Sequence, residues 1–196
     1  MTTRRSKPGS FRIIGGEWRS RRLPLPLGSD VRPTPDRVRE TLFNWLSPII
    51  QGARCLDLYA GSGALGLEAL SRGAARAVFV DTAPGPLRQL ATNLDTLKCT
   101  RGETLRMDAM RYLETPRDPF DIVFLDPPYR RNLLAPALDA LMRDGWLAPG
   151  ALVYLEHETG IAPPGLPRGW ALYRSAAAGQ VRYHLARPGP VKAESS

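Results

Sequence analysis

Four aspartates stand at or beside the ends of apolar runs: Asp57 in CLDLYAGSG, Asp81 in AVFVD, Asp108 in LRMDAM and Asp126 in FDIVFLDPPY. Any one of them could be a turn former or a helix cap. If the runs are parallel strands, the four carboxylates share the carboxyl edge of one sheet, where open α/β sheets bind ligands. Asp126 has the most specialised setting. The prolines that follow, Pro127 and Pro128, remove two N–H donors and stiffen the backbone, so the Asp126 carboxylate and the Pro127 carbonyl become fixed acceptors beside the Tyr129 ring. Such a group suits a flat ligand that carries an amino group. The plainer alternative is a buried strand, Ile122 to Leu125, that the prolines simply stop.

Between Asp57 and the next helix the chain turns on glycines. Gly61 and Gly63 let a ligand approach the backbone, and the helix start offers free N–H groups. With Gly66 they satisfy G-x-G-x-x-G, a pattern that alone is weak evidence for a dinucleotide. Asp57 argues against a dinucleotide, because its charge at the strand end would repel a pyrophosphate and would suit a cationic group. A sulfonium with an amino acid tail fits better. Asp81 lies eighteen residues past Gly63, where an acid commonly accepts from both hydroxyls of a ribose. Asp108 is placed to accept from an adenine amino group.

The elements that must position these residues alternate. Strands are expected at Arg54 to Leu58, Ala77 to Val80, Thr104 to Met107, Asp121 to Leu125 and Ala151 to Glu156. Helices are expected at Ala64 to Ser71, Pro86 to Leu97, Ala109 to Leu113 and Leu133 to Met142. That alternation implies an α/β fold with a mostly parallel sheet and helices on both faces. WALYRS and QVRYHLA read as a hairpin added antiparallel to one edge, which makes a seven-stranded sheet. Ahead of the sheet, RPTPDRVRETLFNWL starts a helix with Thr34 as N-cap and Pro35 at the first helical position. Glu68 and Arg72 read as a surface pair one turn apart. FRIIGGEWRSRRLPLPL reads as a small hairpin turning at Gly15-Gly16.

Residues 1–39 hold ten Lys or Arg against three acids, a net of +7, while the whole chain of 196 residues carries +8. The excess is interleaved with Phe11 and Trp18, which suits phosphate contacts combined with stacking on exposed bases. The expected organisation is a flexible basic tail (1–10), a basic arm that binds RNA (11–31), a catalytic domain (32–187) and a flexible tail (188–196). Cys55 and Cys99 have no metal or redox spacing, so both are expected to be reduced, in a cytoplasmic protein with no metal. No apolar run is long enough to span a bilayer, and the Arg-rich start lacks the apolar core of a secretory signal.

DLYAGSG with Asp81, Asp108 and DPPY resembles class I S-adenosylmethionine-dependent methyltransferases that act on exocyclic amino groups of bases. Adding RIIGGEWRSRRLPLP, RPTPDRVRETLFNWL and GSGALGLEALSRGA, the chain from about Arg12 to Arg187 resembles the RsmD family, which methylates N2 of a guanine in 16S ribosomal RNA. The resemblance implies a Rossmann-like fold, S-adenosylmethionine as cofactor, small-subunit RNA as partner and a monomer. It places Asp57, Gly61 and Gly63 on the methionine moiety, Asp81 on the ribose and Asp108 on the adenine. Tyr59, Ser62 and Ala109 stand beside them. Asp126 joins cofactor and base, and Arg32, Thr34 and Arg37 lie over the site. Arg12, Arg19, Arg21, Arg22, Arg37 and Arg39 become the RNA contacts. Two departures from the family pattern are Tyr59, where phenylalanine is more usual, and Thr82 to Gly85, which lacks further charged residues.

Three other functions share parts of this pattern. A nicotinamide-dependent oxidoreductase is opposed by Asp57 and DPPY. A non-catalytic RNA-binding assembly protein would not require the Asp126 to Tyr129 set. Adenine-N6 methylation uses nearly the same tetrapeptide, and only the family-specific segment separates it.

Overall fold

The computed structural model describes residues 9–26, 32–116, 118–128, 132–143, 145–160 and 165–189. Two short strands, β1 (Ser10–Arg12) and β2 (Arg22–Pro24), form an antiparallel ribbon. After helix α1 (Asp36–Leu46) the chain alternates: β3 (Arg54–Asp57), α2 (Ala64–Ser71), β4 (Arg76–Asp81), α3 (Pro84–Thr96), β5 (Gly102–Arg106), α4 (Ala109–Tyr112), β6 (Phe120–Leu125) and α5 (Leu134–Leu141). It ends with β7 (Leu147–Glu158), β8 (Ala171–Ala178) and β9 (Val181–Arg187).

The seven-stranded sheet has the order β5-β4-β3-β6-β7-β9-β8. β3 to β7 run parallel, and the β8–β9 hairpin is antiparallel, with β9 between β7 and β8. Side chains alternate between two cores as the pleat requires. Cys55, Phe79, Ile122, Phe124, Leu152 and Tyr154 face one core with α1, α2 and α3. Leu56, Val78, Val123, Leu125 and Val153 face the other with α4 and α5.

The N-terminal ribbon is no free arm. Phe11, Ile13, Trp18 and Leu23 are buried in the same core as α1 to α3. Their aromatic rings are therefore not available for stacking on bases: Arg39 lies over Phe11 and Arg101 over Trp18, each at 5.7 Å. Gly15-Gly16 is also not the hairpin turn that the sequence suggests. The ribbon closes through residues 13–21, and Gly16, at φ 78°, packs on the end of α2, where a Cβ would lie 1.8 Å from the Ser71 carbonyl oxygen. A hairpin signal here serves a close backbone approach instead.

Candidate active site at the carboxyl edge of the sheet

The strand order reverses between β3 and β6, which lie side by side with Asp57 opposite Phe124. A crevice opens at such a reversal, beyond the carboxyl ends of the strands. Asp57 is the last residue of β3, and Asp126 follows β6 directly.

The turn after Asp57 is tightly braced. The Leu58 N–H donates to the Phe124 carbonyl at 3.2 Å, Ala60 N–H to Val80 at 3.0 Å, and Gly63 N–H to Ala60 at 2.7 Å. Gly63 is left-handed, at φ 73°, and a Cβ there would meet Leu90 Cδ1 at 2.4 Å. Gly66, the third glycine of the motif, is there for packing: a Cβ would come within 2.2 Å of the Phe79 ring. Asp57 is 2 % exposed, and its Oδ2 accepts from the Gly66 N–H at 3.1 Å. Among the described residues it has no ion-pair partner. Burial raises its pKa to about 7, against the lowering effect of the Gly66 N–H and with a further push from Asp81.

Asp81 and Asp108 hold structural bonds as well as edge positions. Asp81 Oδ2 accepts from the Gly61 N–H and Oδ1 from the Ala83 N–H, each at 2.8 Å, so it clamps the glycine turn to the next strand. Asp108 lies two residues past β5 and caps α4. Its Oδ1 accepts from the N–H groups of Met110 (2.9 Å) and Arg111 (3.1 Å), and the residue stays exposed. Ala109 and Ser62 are buried. The Tyr59 hydroxyl is buried, with no hydrogen-bond partner among the described residues. Burial and the charge of Asp108 raise its pKa to about 12, so it remains a neutral donor.

Asp126 is half-buried, Pro127 buried and Pro128 exposed; Tyr129 lies outside the described residues. Burial, then Glu156 and Asp57, hold the Asp126 carboxyl well above the ordinary carboxylate range, while a hydrogen bond from the Thr34 hydroxyl acts the other way. That hydroxyl donates to Asp126 Oδ2 at 3.3 Å. Thr34 is thus not a helix cap: α1 begins at Asp36 after Pro35, with no side-chain cap. Glu156, one residue beyond the Leu125–Leu155 pairing of β6 and β7, escaped the sequence reading. It is buried, and the Tyr154 hydroxyl donates to its Oε2 at 2.6 Å. The only signal in the sequence was an acid inside the apolar run ALVYLEH.

The basic residues divide sharply. Arg19, Arg21, Arg22, Arg32 and Arg37 are exposed, and the first three form no ion pair among the described residues. Arg12 is exposed and pairs with Asp36 at 3.2 Å. Arg39, expected as an RNA contact, is fully buried and spends its guanidinium inside the protein, at Glu68 Oε2 (3.3 Å), Asp36 Oδ1 (2.6 Å) and the carbonyls of Thr34 and Arg12. Glu68 corrects a second expectation. It does pair with Arg72, at 2.7 Å, but it is buried and also accepts from the N–H groups of Ile14 and Gly15, at 2.8 Å each.

A central glycine turn, acids along the carboxyl edge and an antiparallel strand inserted beside β7 make this a Rossmann-like methyltransferase fold. The solved structure of the Escherichia coli protein yhhF superimposes with a TM-score of 0.86 at 49 % identity, over 92 % of this chain and 99 % of that one. The family model described as Conserved hypothetical protein 95 matches residues 11–187. The chain belongs to that family, the RsmD family. Ribosomal RNA small subunit methyltransferase D of Escherichia coli (strain K12) is 51 % identical over 92 % of this chain and 91 % of its own length. The protein of the same name from Haemophilus influenzae is 44 % identical over 90 % and 93 %.

Proposed function

We propose that this protein transfers a methyl group from S-adenosylmethionine to the exocyclic N2 amino group of one guanine in 16S ribosomal RNA, acting as a cytoplasmic monomer on RNA within the small subunit or an assembly intermediate. The observation that carries this reading is the position of Asp126 and Pro127, directly after β6 at the sheet reversal beside Asp57, where the Asp126 carboxylate and the Pro127 carbonyl can serve as two acceptors. The 51 % identical methyltransferase from Escherichia coli supports the RNA substrate. No helix among the described residues is long and apolar enough to cross a membrane.

The residues fit the cofactor. Asp57 is a buried acid with no ion-pair partner among the described residues, suited to a cationic ammonium or sulfonium group, and the buried Tyr59 hydroxyl, which has no hydrogen-bond partner among them, can donate to the ligand. Gly61, Ser62 and Gly63 bring backbone close to the methionine moiety, Asp81 accepts from the ribose, and Asp108 with Ala109 borders the adenine. Exposed Arg32 would add a cation from the segment that leads to Thr34. When bound, S-adenosylmethionine supplies a methyl already activated on sulfur.

The chain's own residues work on the nitrogen. A guanine amino group is a poor nucleophile because its lone pair is delocalised into the ring. Acceptance of its two N–H bonds by Asp126 and Pro127 favours a more tetrahedral nitrogen, with the lone pair free to attack. Pro128 stiffens the loop that carries them, and Tyr129 stacks on the base. The base must leave its helix or come from a loop to enter. After transfer the extra proton on nitrogen leaves to Asp126 or to water. The exposed Arg12, Arg19, Arg21, Arg22 and Arg37 supply phosphate contacts on the side of the N-terminal ribbon and α1.

The test is methyl transfer from labelled S-adenosylmethionine to small-subunit RNA and subunits, with digestion to nucleosides. N2-methylguanosine is expected with wild type and none with Asp126→Ala, whose cofactor affinity should be kept. Turnover by Asp126→Ala at the wild-type rate would overturn the mechanism, and N6-methyladenosine as product would replace guanine by adenine.

A further inference from the structure

The bond from Thr34 to Asp126 is the last link of a longer chain. Thr34 is buried, and its carbonyl accepts from Arg39 Nε at 3.0 Å. Arg39 is anchored in turn by Glu68 and by the Arg12 carbonyl, at 2.8 Å from Nη2. Glu68 grips the backbone of Ile14 and Gly15, and the Ser71 hydroxyl donates to the Gly15 carbonyl at 2.6 Å. Hydrogen bonds therefore link the loop of the basic ribbon, through a fully buried guanidinium, to the Thr34 carbonyl, and the same residue's hydroxyl reaches the carboxylate at the sheet reversal.

We propose that Thr34 and Arg39 are positioning residues: Arg39, held by the ribbon and Glu68, fixes Thr34 so that its hydroxyl orients Asp126 toward the target amine. The inference rests on the reading of Asp126 as the amine acceptor, and it moves Thr34 from the cofactor to the catalytic carboxylate. A carboxylate turns easily about its terminal torsion, so one donor on Oδ2 selects a rotation and leaves Oδ1 for the substrate. Among the described residues, the other groups facing Asp126 are Asp57 from β3 and Glu156 and Tyr154 from β7. The two acids oppose its ionisation, whereas the Thr34 hydroxyl favours it.

The experiment uses the full chain with S-adenosylmethionine and small-subunit RNA. Thr34→Val, an isosteric loss of the hydroxyl, should lower kcat roughly ten-fold and move the acid limb of the pH–rate profile up by roughly one pH unit. Cofactor affinity by calorimetry and RNA affinity should stay as in wild type. Thr34→Ser should restore both the rate and the limb. Arg39→Lys should shift the limb in the same direction, and the double variant should be no worse than Thr34→Val alone. Wild-type kcat with an unmoved limb in Thr34→Val would overturn the relay, and so would weakened cofactor binding with kcat retained. Asp126→Asn run in parallel separates the two layers. If it turns over like wild type, the acceptor reading has failed. If it is inactive while Thr34→Val is normal, the relay alone has failed.

Discussion

Asp57 ties cofactor affinity to pH, and its burial sets the size of the effect. In the ligand-free protein its pKa is raised to about 7, chiefly because the carboxyl is buried. A cationic ligand group placed against it would favour the ionised form and return the pKa toward its ordinary value of 3.8. Below pH 7 the protonated acid must therefore give up its proton for the ligand to bind. Each pH unit below 7 costs about a factor of ten, so binding should be roughly a hundred-fold weaker at pH 5 than at pH 7.5. Titration calorimetry with S-adenosylmethionine in buffers of different ionisation enthalpy measures both affinity and proton count. The expected result is release of nearly one proton at pH 5 to 6 and little at pH 7.5. Asp57→Asn should bind more weakly at pH 7.5 and show neither effect. Affinity independent of pH, or proton uptake on binding, would refute the placement of the cationic group at Asp57. The same shift acts on stability with a fixed sign. Because the folded pKa lies above the unfolded one, Asp57 favours the folded, ligand-free protein at low pH, and that contribution disappears as pH rises from about 4 to about 7. Thermal unfolding of wild type against Asp57→Asn isolates it.

Three further outcomes concern the framework and the RNA surface. Glu68→Gln removes the buried one of the two carboxylates that pair with Arg39 and leaves only the exposed Asp36, which should cost about 3–5 kcal/mol in urea unfolding; a change under 1 kcal/mol would deny the buried pair its structural weight. Gly66→Ala drives a methyl to within 2.2 Å of the Phe79 ring and should destabilise by about 1–3 kcal/mol, whether or not ligand is present. Replacing Arg19, Arg21 and Arg22 with Gln should flatten the log–log salt dependence of RNA binding by roughly 0.7 per lost phosphate contact, whereas an unaltered slope would place the RNA surface elsewhere.

The alternation of strands and helices, the glycine turn and the four acids were legible because each is a local pattern. α2 occupies the residues that its apolar run and the preceding Gly63 select, Ala64–Ser71. β7 runs longer than the Ala151 to Glu156 segment expected, from Leu147 to Glu158, because a register shift against β6 lets Pro149 and Gly150 join the exposed start of the strand. The plain roles expected of an aspartate are observed at two of the four, as Asp81 and Asp108 brace turns at the carboxyl edge of the sheet. What stayed hidden depends on segments distant in sequence. Glu68 and Arg72 look like an exposed pair one turn apart until the ribbon covers Glu68 and Arg39 enters from α1. Phe11 and Trp18 look like stacking platforms until the same packing buries them. Glu156 gains meaning only once β7 is known to neighbour β6.

One atom decides the function, the nitrogen that receives the methyl group. Mass mapping of modified nucleosides in small-subunit RNA, from cells with and without this protein, locates it most directly. A single N2-methylguanosine present with the wild-type protein, absent without it and absent with Asp126→Ala is the predicted result. Identical modification with and without the protein, or a missing methyl on an adenine, would contradict it.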